Sequence, residues 1–460
     1  MTENMSKEKD TMQRLIVIGG DAAGMSAASQ IRRMQPLREI TVYEKGLYTS
    51  YAACGIPYYI AGLVGEKEKL IARTPETFQE KYRISAQTEH EVLAISPEEH
   101  TVWVKNLQSG EDWHEPYDQL LLATGANPIT TGFDGETCAN VHHVNNLMQA
   151  EALEGALKNA SARHALIVGG GYIGLEMAEA LVMRGIRVTM IHRGRTVMSS
   201  LDLPMGELVG SALAEGGVDL RLNTSLEGFQ HSDGRVTAVL TSTGPIATDL
   251  VILGIGVMPA TKLAKEAGIE LGEKDSIKVN ELQQTSIKDI WAVGDCTQSF
   301  HVVSRRPVYV SMGTVANRQG RVAGINLGGG YATFPGVLGT SITKFMQTEC
   351  ARTGLNEQEL RALGWKFATA TIKTKTLPPY YPGATTLHVK VLAEKGSGRL
   401  LGVQIVGGTG SAKRIDTAAV ALHAGMDVET FINLDLSYAP PFSGVWDPII
   451  TAAKQVLKDI

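Results

Sequence analysis

One cysteine of this sequence differs from the others in its surroundings. Cys54 lies in the irregular stretch at residues 48–59, where Ala53 and Gly55 leave room for a ligand to approach closely. The following P-Y-Y-I-A-G allows a helix to start near Cys54, and the dipole of such a helix would lower the thiol pKa. The thiolate is the nucleophilic form, so we predict that Cys54 is a reactive thiol. The alternative is the common role of a lone cysteine as a small core residue, which we assign to Cys138, Cys296 and Cys350.

Two glycine-rich turns could bind the phosphates of dinucleotides. Each follows a short apolar run and precedes a helical pattern and a second strand, the arrangement of a dinucleotide-binding fold. The second turn has all three glycines of the fingerprint, Gly169, Gly171 and Gly174. The first has Gly19 and Gly24, but Asp21 stands at the middle position, where it would repel a pyrophosphate unless its side chain turned away.

The residues after the second strand of each unit differ in charge. Glu44 ends the first, and a carboxylate accepts hydrogen bonds from ribose hydroxyls. His192, Arg193 and Arg195 end the second, and a guanidinium pairs with a 2′-phosphate. We therefore expect FAD at the first site and NADPH at the second, with NADH possible. The alternative for the basic residues is a solvated loop.

Two further strands belong to the same arrangement. One ends in Ala123, Thr124 and Gly125, and another in Gly294 and Asp295. A carboxylate after a parallel strand faces the crevice where ligands bind in open α/β sheets. From about residue 334 the apolar residues alternate as in antiparallel strands, and two helical patterns follow near residues 411–424 and 428–434. The sequence thus predicts an α/β protein with two Rossmann-like units and a C-terminal α+β domain.

Bulk composition places further limits on function. The 460 residues carry a net charge of −5, which gives no reason to expect a nucleic-acid partner. No apolar run approaches the roughly 18 residues of a membrane span, so we expect no membrane partner. The four scattered cysteines form no C-x-x-C pair, so we expect neither a metal site nor a disulfide framework. The polar start of the chain lacks the apolar core of a signal peptide, so we expect none there, and we expect a cytoplasmic location.

These motifs, in this order, resemble the FAD-dependent pyridine nucleotide–disulfide oxidoreductases over nearly the whole chain past Gln13. Within them, Ser50-x-x-x-Cys54-Gly55 resembles the single-cysteine branch, and most of all the coenzyme A disulfide reductases. The resemblance implies a homodimer in which residues 13–125 and 254–332 bind FAD, 126–253 bind NAD(P)H and 333–460 dimerise. Residues 1–12 are expected to be a disordered tail.

The resemblance also implies a set of site residues. Cys54 would be catalytic, assisted by Ser50 and by tyrosines of the partner's C-terminal domain that match Tyr438 and Tyr381 or Tyr380. The first cofactor-binding set is Gly19, Gly20, Ala23, Gly24, Glu44, Lys45, Ser50, Ala123, Thr124, Gly125, Gly294 and Asp295. The second set is Gly169, Gly171, Tyr172, Ile173, Gly174, Glu176, His192, Arg193, Arg195 and Gly256.

The resemblance implies that hydride passes from NADPH through FAD to Cys54 and a small disulfide, either coenzyme A disulfide or a coenzyme A persulfide or polysulfide. Arg32, Arg33, Lys69 and Arg73 are candidates for the phosphates of coenzyme A, with a solvated helix face as the favoured alternative. An NAD(P)H oxidase or peroxidase using a Cys54 sulfenic acid is a second possibility. Ala22 stands where those enzymes place a histidine and speaks against it. A slow flavin-bound redox sensor is a third.

Overall fold

The computed structural model describes residues 13–159 and 162–460. The predicted tail at residues 1–12 lies outside the described residues. Three five-stranded sheets form the framework, two of them parallel and one antiparallel. The expected α/β class, with two Rossmann-like units and a C-terminal α+β domain, is therefore confirmed.

The first parallel sheet is built around the strand that precedes the first glycine turn. Its strands are ordered Ile290–Ala292, Gln119–Leu122, Arg14–Ile18, Glu39–Tyr43 and Ser85–Gln87. The chain leaves Arg14–Ile18 toward one neighbour and later returns on the other side. The carboxyl end of this central strand is therefore the topological switch point at which open α/β sheets bind ligands.

The second parallel sheet repeats this plan. Its order is Asp219–Arg221, Arg187–Ile191, His164–Val168, Leu250–Leu253 and Val141–His142. The strand His164–Val168 is buried at every position, as expected for a strand covered on both faces. Small antiparallel sheets accompany the two units: His90–Ser96, Thr101–Asn106 and Asp112–Pro116; Leu226–Ser232, Arg235–Thr241 and Ile246–Ala247; Ala126–Pro128 with Val257–Pro259; and Ser299–Phe300 with Pro307–Val308.

The C-terminal sheet is antiparallel throughout. Its order is Ser341–Phe345, Thr348–Gly354, Leu400–Gly407, Thr386–Glu394 and Phe367–Lys375. The central strand Leu400–Gly407 is fully buried because helices cover it. The strands of the three large sheets fall within the three expected domains, whose boundaries stay a prediction.

Helices cover the faces of these sheets. They span Ala22–Met34, Ile56–Ile60, Pro75–Tyr82, Leu147–Asn159, Tyr172–Met183, Leu203–Glu215, Lys262–Glu266, Gly313–Leu327, Glu357–Ala362, Ile415–His423, Val428–Ile432 and Pro448–Val456. The helices after the two glycine turns start directly at the turn, so their N-terminal amides face the crevices. Across residues 13–159 and 162–460, no helix has both the length and the apolar character needed to cross a membrane.

Candidate active site

A cavity of about 2160 Å³ lies where the two parallel sheets present their glycine turns. Its wall includes Gly19 and Asp21 of the first turn, Gly169 and Gly171 of the second, and Cys54. The structure therefore brings both expected nucleotide sites and the expected reactive thiol to one space. Among the described residues, no cluster of three or more His, Cys, Asp or Glu side chains could hold a metal ion.

The first turn requires glycine at two positions. Gly19 has φ +109°, and a Cβ on it would stand 2.1 Å from the carbonyl oxygen of Ala123. A Cβ on Gly24 would stand 2.0 Å from the carbonyl oxygen of Gly19. The helix Ala22–Met34 can thus begin close against the strand end, which leaves the turn amides free for a ligand.

Two carboxylates border this crevice. Glu44 accepts hydrogen bonds from the amides of Gly20 and Gly46, both at 2.7 Å, and still has lone pairs for ribose hydroxyls. Asp295 accepts from the Ser311 hydroxyl through Oδ2, whereas its buried Oδ1 has no hydrogen-bond partner within the described part of the chain. Burial raises the pKa of Asp295. An orphaned buried acceptor requires a donor, and a hydroxyl of the FAD ribitol chain would supply one, so the residues fit FAD.

The second turn has the same backbone geometry, but a histidine stands beside it where the first turn has a glutamate. Gly169 has φ +107°, and the space beside Gly171 is open. His192 Nδ1 accepts from the amide of Gly170 at 3.1 Å, as Glu44 does from Gly20 in the first unit. Burial and the Arg193 charge lower the pKa of His192, so a neutral ring replaces the carboxylate. This arrangement fits a 2′-phosphate better than an acidic residue would.

The two expected phosphate-binding arginines differ in position. Arg193 lines the cavity, together with His192 and Thr224. Arg195 is exposed and is not part of the cavity wall. The geometry therefore favours Arg193 over Arg195 for contact with a nucleotide.

Cys54 lies at the wall of the cavity and is exposed, whereas Cys138, Cys296 and Cys350 are buried. The expected lowering of its pKa by a helix is wrong. A single 3₁₀ turn at Ala53–Gly55 leads into a helix of only five residues, Ile56–Ile60. Partial removal from water, followed by the nearby carboxylates of Glu176, Asp295 and Asp21, raises the pKa of Cys54. Desolvation and three like charges outweigh the dipole of one short helix.

The residues expected to assist Cys54 lie outside the cavity wall. Ser50 does not precede Cys54 by one helical turn, because Ser50 has φ +47° and lies outside any helix. No hydrogen bond joins its hydroxyl to Cys54 in the part of the chain described. Tyr438 and Tyr380 are exposed and lie outside the cavity wall. The nearby Tyr438 hydroxyl raises the pKa of Tyr380, so Tyr380 rather than Tyr381 is the neighbour of Tyr438.

The remaining expected residues divide into two groups. Those on the cavity wall are Lys45, Ala123, Thr124, Gly125, Tyr172, Ile173, Glu176 and Gly256. Those outside the wall are Gly20, Ala23, Gly24, Gly174 and Gly294. Glu176 accepts from the Thr343 hydroxyl at 3.0 Å, and burial raises its pKa.

The four residues considered as candidates for the phosphates of coenzyme A have different surroundings. Arg32 is buried and donates to the carbonyl oxygens of Tyr82 at 2.8 Å and Arg83 at 2.6 Å, so its role is structural. Arg33 bonds Gln30, and Arg73 lies over the ring of Tyr82. Lys69 is exposed.

Sequence reasoning missed the helix that faces the flavin crevice from the other side. The N-terminal residues Gly313, Thr314 and Asn317 of the helix Gly313–Leu327 line the cavity. Gln319 on the same helix accepts from the Gly294 amide at 2.8 Å. A glycine followed by a helical pattern, S-M-G-T-V-A-N, shortly after Asp295 was the available signal.

Comparisons with known proteins agree with this fold. The sequence profile described as pyridine nucleotide-disulphide oxidoreductase matches residues 13–320, and the corresponding dimerisation domain matches 340–448. The chain is 39% identical over 459 residues, all of both chains, to an NAD(P)H coenzyme A polysulfide/persulfide reductase of Pyrococcus horikoshii. It is 34% identical to a coenzyme A disulfide reductase of Staphylococcus haemolyticus, covering 94% of this chain and 96% of the other. A solved NAD-dependent persulfide reductase from A. fulgidus superposes with a TM-score of 0.94 at 37% identity, covering 97% of this chain and 83% of that one.

Proposed function

Since the chain belongs to the pyridine nucleotide–disulfide oxidoreductase family, we propose that it uses NADPH to reduce a coenzyme A disulfide or persulfide through Cys54. The observation that carries this proposal is the position of Cys54. It is an exposed thiol on the wall of the same cavity that both glycine turns enter. The names of relatives similar over the full chain support coenzyme A as the carrier of the sulfur.

The chain's own residues support an assignment of the two nucleotides. The first turn would hold FAD, with Glu44 accepting from the adenosine ribose and Asp295 Oδ1 from the ribitol chain. The second turn would hold NADPH, with Arg193 pairing with the 2′-phosphate, and Glu176 lies on the same cavity wall. Bound FAD would supply the chemistry that transfers the electron pair of a hydride to sulfur.

Cys54 then performs the sulfur chemistry. Its thiolate attacks one sulfur of the substrate disulfide, a new S–S bond forms, and the other sulfur leaves as a thiolate that takes up a proton. The electron pair from NADPH breaks the mixed disulfide, which releases the second thiol and restores the Cys54 thiolate. One NADPH and one proton thus yield two thiols, or one thiol and hydrogen sulfide when the substrate is a persulfide.

The leaving sulfur needs an acid, and Tyr438 of the partner subunit is the proposed donor. Within one chain, Tyr438 is exposed and does not line the cavity that contains Cys54. A homodimer formed through the C-terminal domain would bring the two together, and the match to a dimerisation domain supports such a dimer. Tyr380, whose pKa is raised by the nearby Tyr438, would assist in orienting that hydroxyl.

The direct test is anaerobic NADPH oxidation by the purified protein with coenzyme A disulfide or a coenzyme A persulfide. We expect a yellow protein that turns over with at least one of them and forms free thiol or hydrogen sulfide in the balance above. NADPH oxidation that needs oxygen and ignores both sulfur substrates would instead establish the oxidase alternative. A protein that stays colourless after FAD is added would overturn the proposal.

A further inference from the structure

Asp21 occupies the place of the middle glycine in the first turn. Its backbone angles, φ −105° and ψ −152°, match those of Gly171 in the second turn, φ −90° and ψ −165°. The space beside Gly171 is open, so a side chain at this position meets no obstacle. The two turns therefore share one backbone, and the aspartate is an addition that the turn itself does not require.

The Asp21 side chain points to the loop that carries Cys54. Its Oδ1 accepts a hydrogen bond from the amide of Tyr51 at 3.1 Å. The preceding amide, that of Ser50, donates to the carbonyl oxygen of Gly20 at 2.9 Å. Two consecutive residues of the turn thus hold two consecutive amides of the loop. Ser50 adopts φ +47° at this junction, a conformation uncommon for residues other than glycine.

The other side of the loop is held independently. The amide of Ala72 donates to the carbonyl of Ser50 at 2.8 Å, and the amide of Ala52 donates to the carbonyl of Leu70 at 2.8 Å. The stretch from Ser50 to Ala52 therefore lies between the glycine turn and residues 70–72. Cys54 follows two residues later, and Gly55 packs so closely on Leu70 that a Cβ would stand 2.5 Å from Leu70 Cδ2.

We propose that Asp21 is a positioning residue that ties the loop of Cys54 to the glycine turn of the flavin site by accepting the Tyr51 amide. One side chain would then set the reactive sulfur relative to the turn that binds the cofactor. The repulsion expected between Asp21 and a pyrophosphate is reduced because the carboxylate is directed to the loop. Although Asp21 is the N-cap residue of Ala22–Met34, its side chain makes no capping bond, so the Tyr51 amide is its specific partner.

The surroundings of Asp21 are acidic. Glu44 faces it from the end of the strand Glu39–Tyr43, Asp295 from the opposite strand end, and Tyr51 and Cys54 from the loop. Burial, followed by the charges of Glu44 and Asp295, raises the pKa of Asp21 to about 6, while the Tyr51 amide acts in the opposite direction. An acidic residue in so unfavourable a place is consistent with a specific bond that retains it there.

The test compares Asp21→Asn with Asp21→Ala in the FAD-loaded protein. Asparagine keeps a side-chain oxygen as acceptor and removes the charge, whereas alanine removes both. The first readout is hydrogen exchange of the Tyr51 amide. It should speed up by about 5- to 10-fold in Asp21→Ala and stay near the wild-type rate in Asp21→Asn, because one hydrogen bond of about 1 kcal/mol is lost. The second readout is the pH profile of Cys54 alkylation by iodoacetamide, which should change in the alanine variant.

Three results would overturn the proposal. Wild-type exchange in Asp21→Ala would show that the bond does not hold the loop, and fast exchange in Asp21→Asn would show that charge matters instead. A freed Tyr51 amide with an unaltered alkylation profile would show that the loop does not position Cys54. If the alanine variant loses FAD, the same measurements are made on the three apoproteins. The inference rests on Cys54 as the reactive thiol, but exchange and alkylation need no substrate, so failure of the proposed reaction would be seen separately.

Discussion

At the scale of single residues, Cys54 is set apart by exposure. Cys296 and Cys350 are 0% and 2% exposed, and Cys138 is 9% exposed, whereas Cys54 lies on the cavity wall. Its raised pKa means that the thiol alone is a weak nucleophile near neutral pH. We therefore expect the proposed reaction to depend on activation of Cys54 by bound cofactor or substrate, or by the partner subunit, rather than by the short helix after it.

Cys54→Ser should retain FAD and accept hydride from NADPH, because neither step uses the sulfur. Turnover with a disulfide should fall by more than about 10³-fold, since a hydroxyl cannot replace a thiolate nucleophile. Anaerobic reduction by one equivalent of NADPH and steady-state thiol release would separate the two steps. Cys138→Ser and Cys350→Ser are the matched controls and should keep turnover while losing roughly 1–3 kcal/mol of stability if the hydroxyl is left unpaired. Full disulfide reduction by Cys54→Ser would contradict the mechanism.

Asp21 gives a pH-dependent prediction for stability. Because its folded-state pKa is raised to about 6 from 3.8, the folded protein binds the proton more tightly than the unfolded chain, and ionisation of Asp21 costs stability as pH rises through that window. Asp21→Asn removes this cost. Its stability relative to wild type should therefore grow by about 1–2 kcal/mol between pH 5 and pH 8.

Denaturant unfolding at the two pH values would measure this difference. Glu207→Gln, at an exposed helix position, is the control and should show no such growth. A gain for Asp21→Asn that is equal at both pH values would argue against a raised pKa for Asp21.

At the scale of elements, the two Rossmann-like units differ in the residue at the end of the second strand. Glu44 and His192 both accept the amide of the second turn glycine, but one brings a negative charge and the other does not. Arg193 follows His192 and reaches the cavity. The two turns are thus alike in backbone and differ in the charge presented to the ribose.

Arg193→Glu should lower kcat/KM for NADPH by roughly 10- to 100-fold, the equivalent of a charge-assisted hydrogen bond of about 1.5–3 kcal/mol. The value for NADH should change much less. Arg195→Glu is the matched control, because Arg195 is exposed outside the cavity wall, and its effect should be smaller. If the wild-type protein prefers NADH, or if Arg195→Glu has the larger effect, the assignment of the 2′-phosphate site is wrong.

A buried ion network joins the second Rossmann-like unit to the C-terminal sheet. Lys390, 3% exposed on the strand Thr386–Glu394, lies 2.9 Å from Asp202 and also contacts Glu357. Asp202 precedes the helix Leu203–Glu215 and accepts from Gln404 at 2.8 Å. Lys390 thus pairs with two carboxylates at the boundary between the units, and Arg361 also pairs with Glu357.

Lys390→Met should lower the free energy of unfolding by about 3–5 kcal/mol, because it leaves the buried carboxylate of Asp202 without its cation. Lys413→Met removes an exposed ion pair with Asp416 and should cost at most about 1 kcal/mol. Urea unfolding of both variants would show the contrast. Equal losses would mean that the buried network does not stabilise the boundary.

At the scale of the whole molecule, the C-terminal domain exposes an apolar surface. Phe442, Val445, Trp446 and Tyr380 are 75%, 70%, 60% and 72% exposed, and Tyr438 lies among them in sequence. Exposed apolar residues in this number are typical of an interface. The proposed role of Tyr438 requires that a symmetric dimer through this surface bring Tyr438 of the partner subunit to the cavity.

Mixed dimers test whether Tyr438 acts across the interface. A subunit with Tyr438→Phe paired with a subunit with Cys54→Ser contains one site with both wild-type residues if Tyr438 comes from the partner. Each homodimeric variant should be impaired, Tyr438→Phe by about 10²–10⁴-fold as for loss of a catalytic acid. The mixed dimer should recover up to half of the wild-type turnover. Action within one subunit would leave no intact site, and the mixed dimer would then show no recovery.

The sequence by itself determined the two glycine turns, the third domain and the distinct surroundings of Cys54, whose catalytic role stays a prediction. These features depend on local patterns: strand, turn and helix are adjacent in sequence, and Gly19 and Gly169 are needed for backbone reasons that hold in any such turn. The same local logic predicted that Glu44, Asp295 and Arg193 border the crevice, because residues at strand ends face it, and their contacts with nucleotides stay predictions.

Only the tertiary structure decided how distant segments act on these residues. The pKa of Cys54 depends on Glu176, Asp295 and Asp21, which are brought together from three separate elements. Arg32 and Arg33 are neighbours in sequence, yet one is buried against backbone carbonyls and the other is exposed. Asp21 departs from the glycine fingerprint, and only the structure gives it a partner, the amide of Tyr51. Local periodicity carries no information on which loop packs against a turn. Desolvation and charge act through space, so they follow the packing of the chain rather than its order.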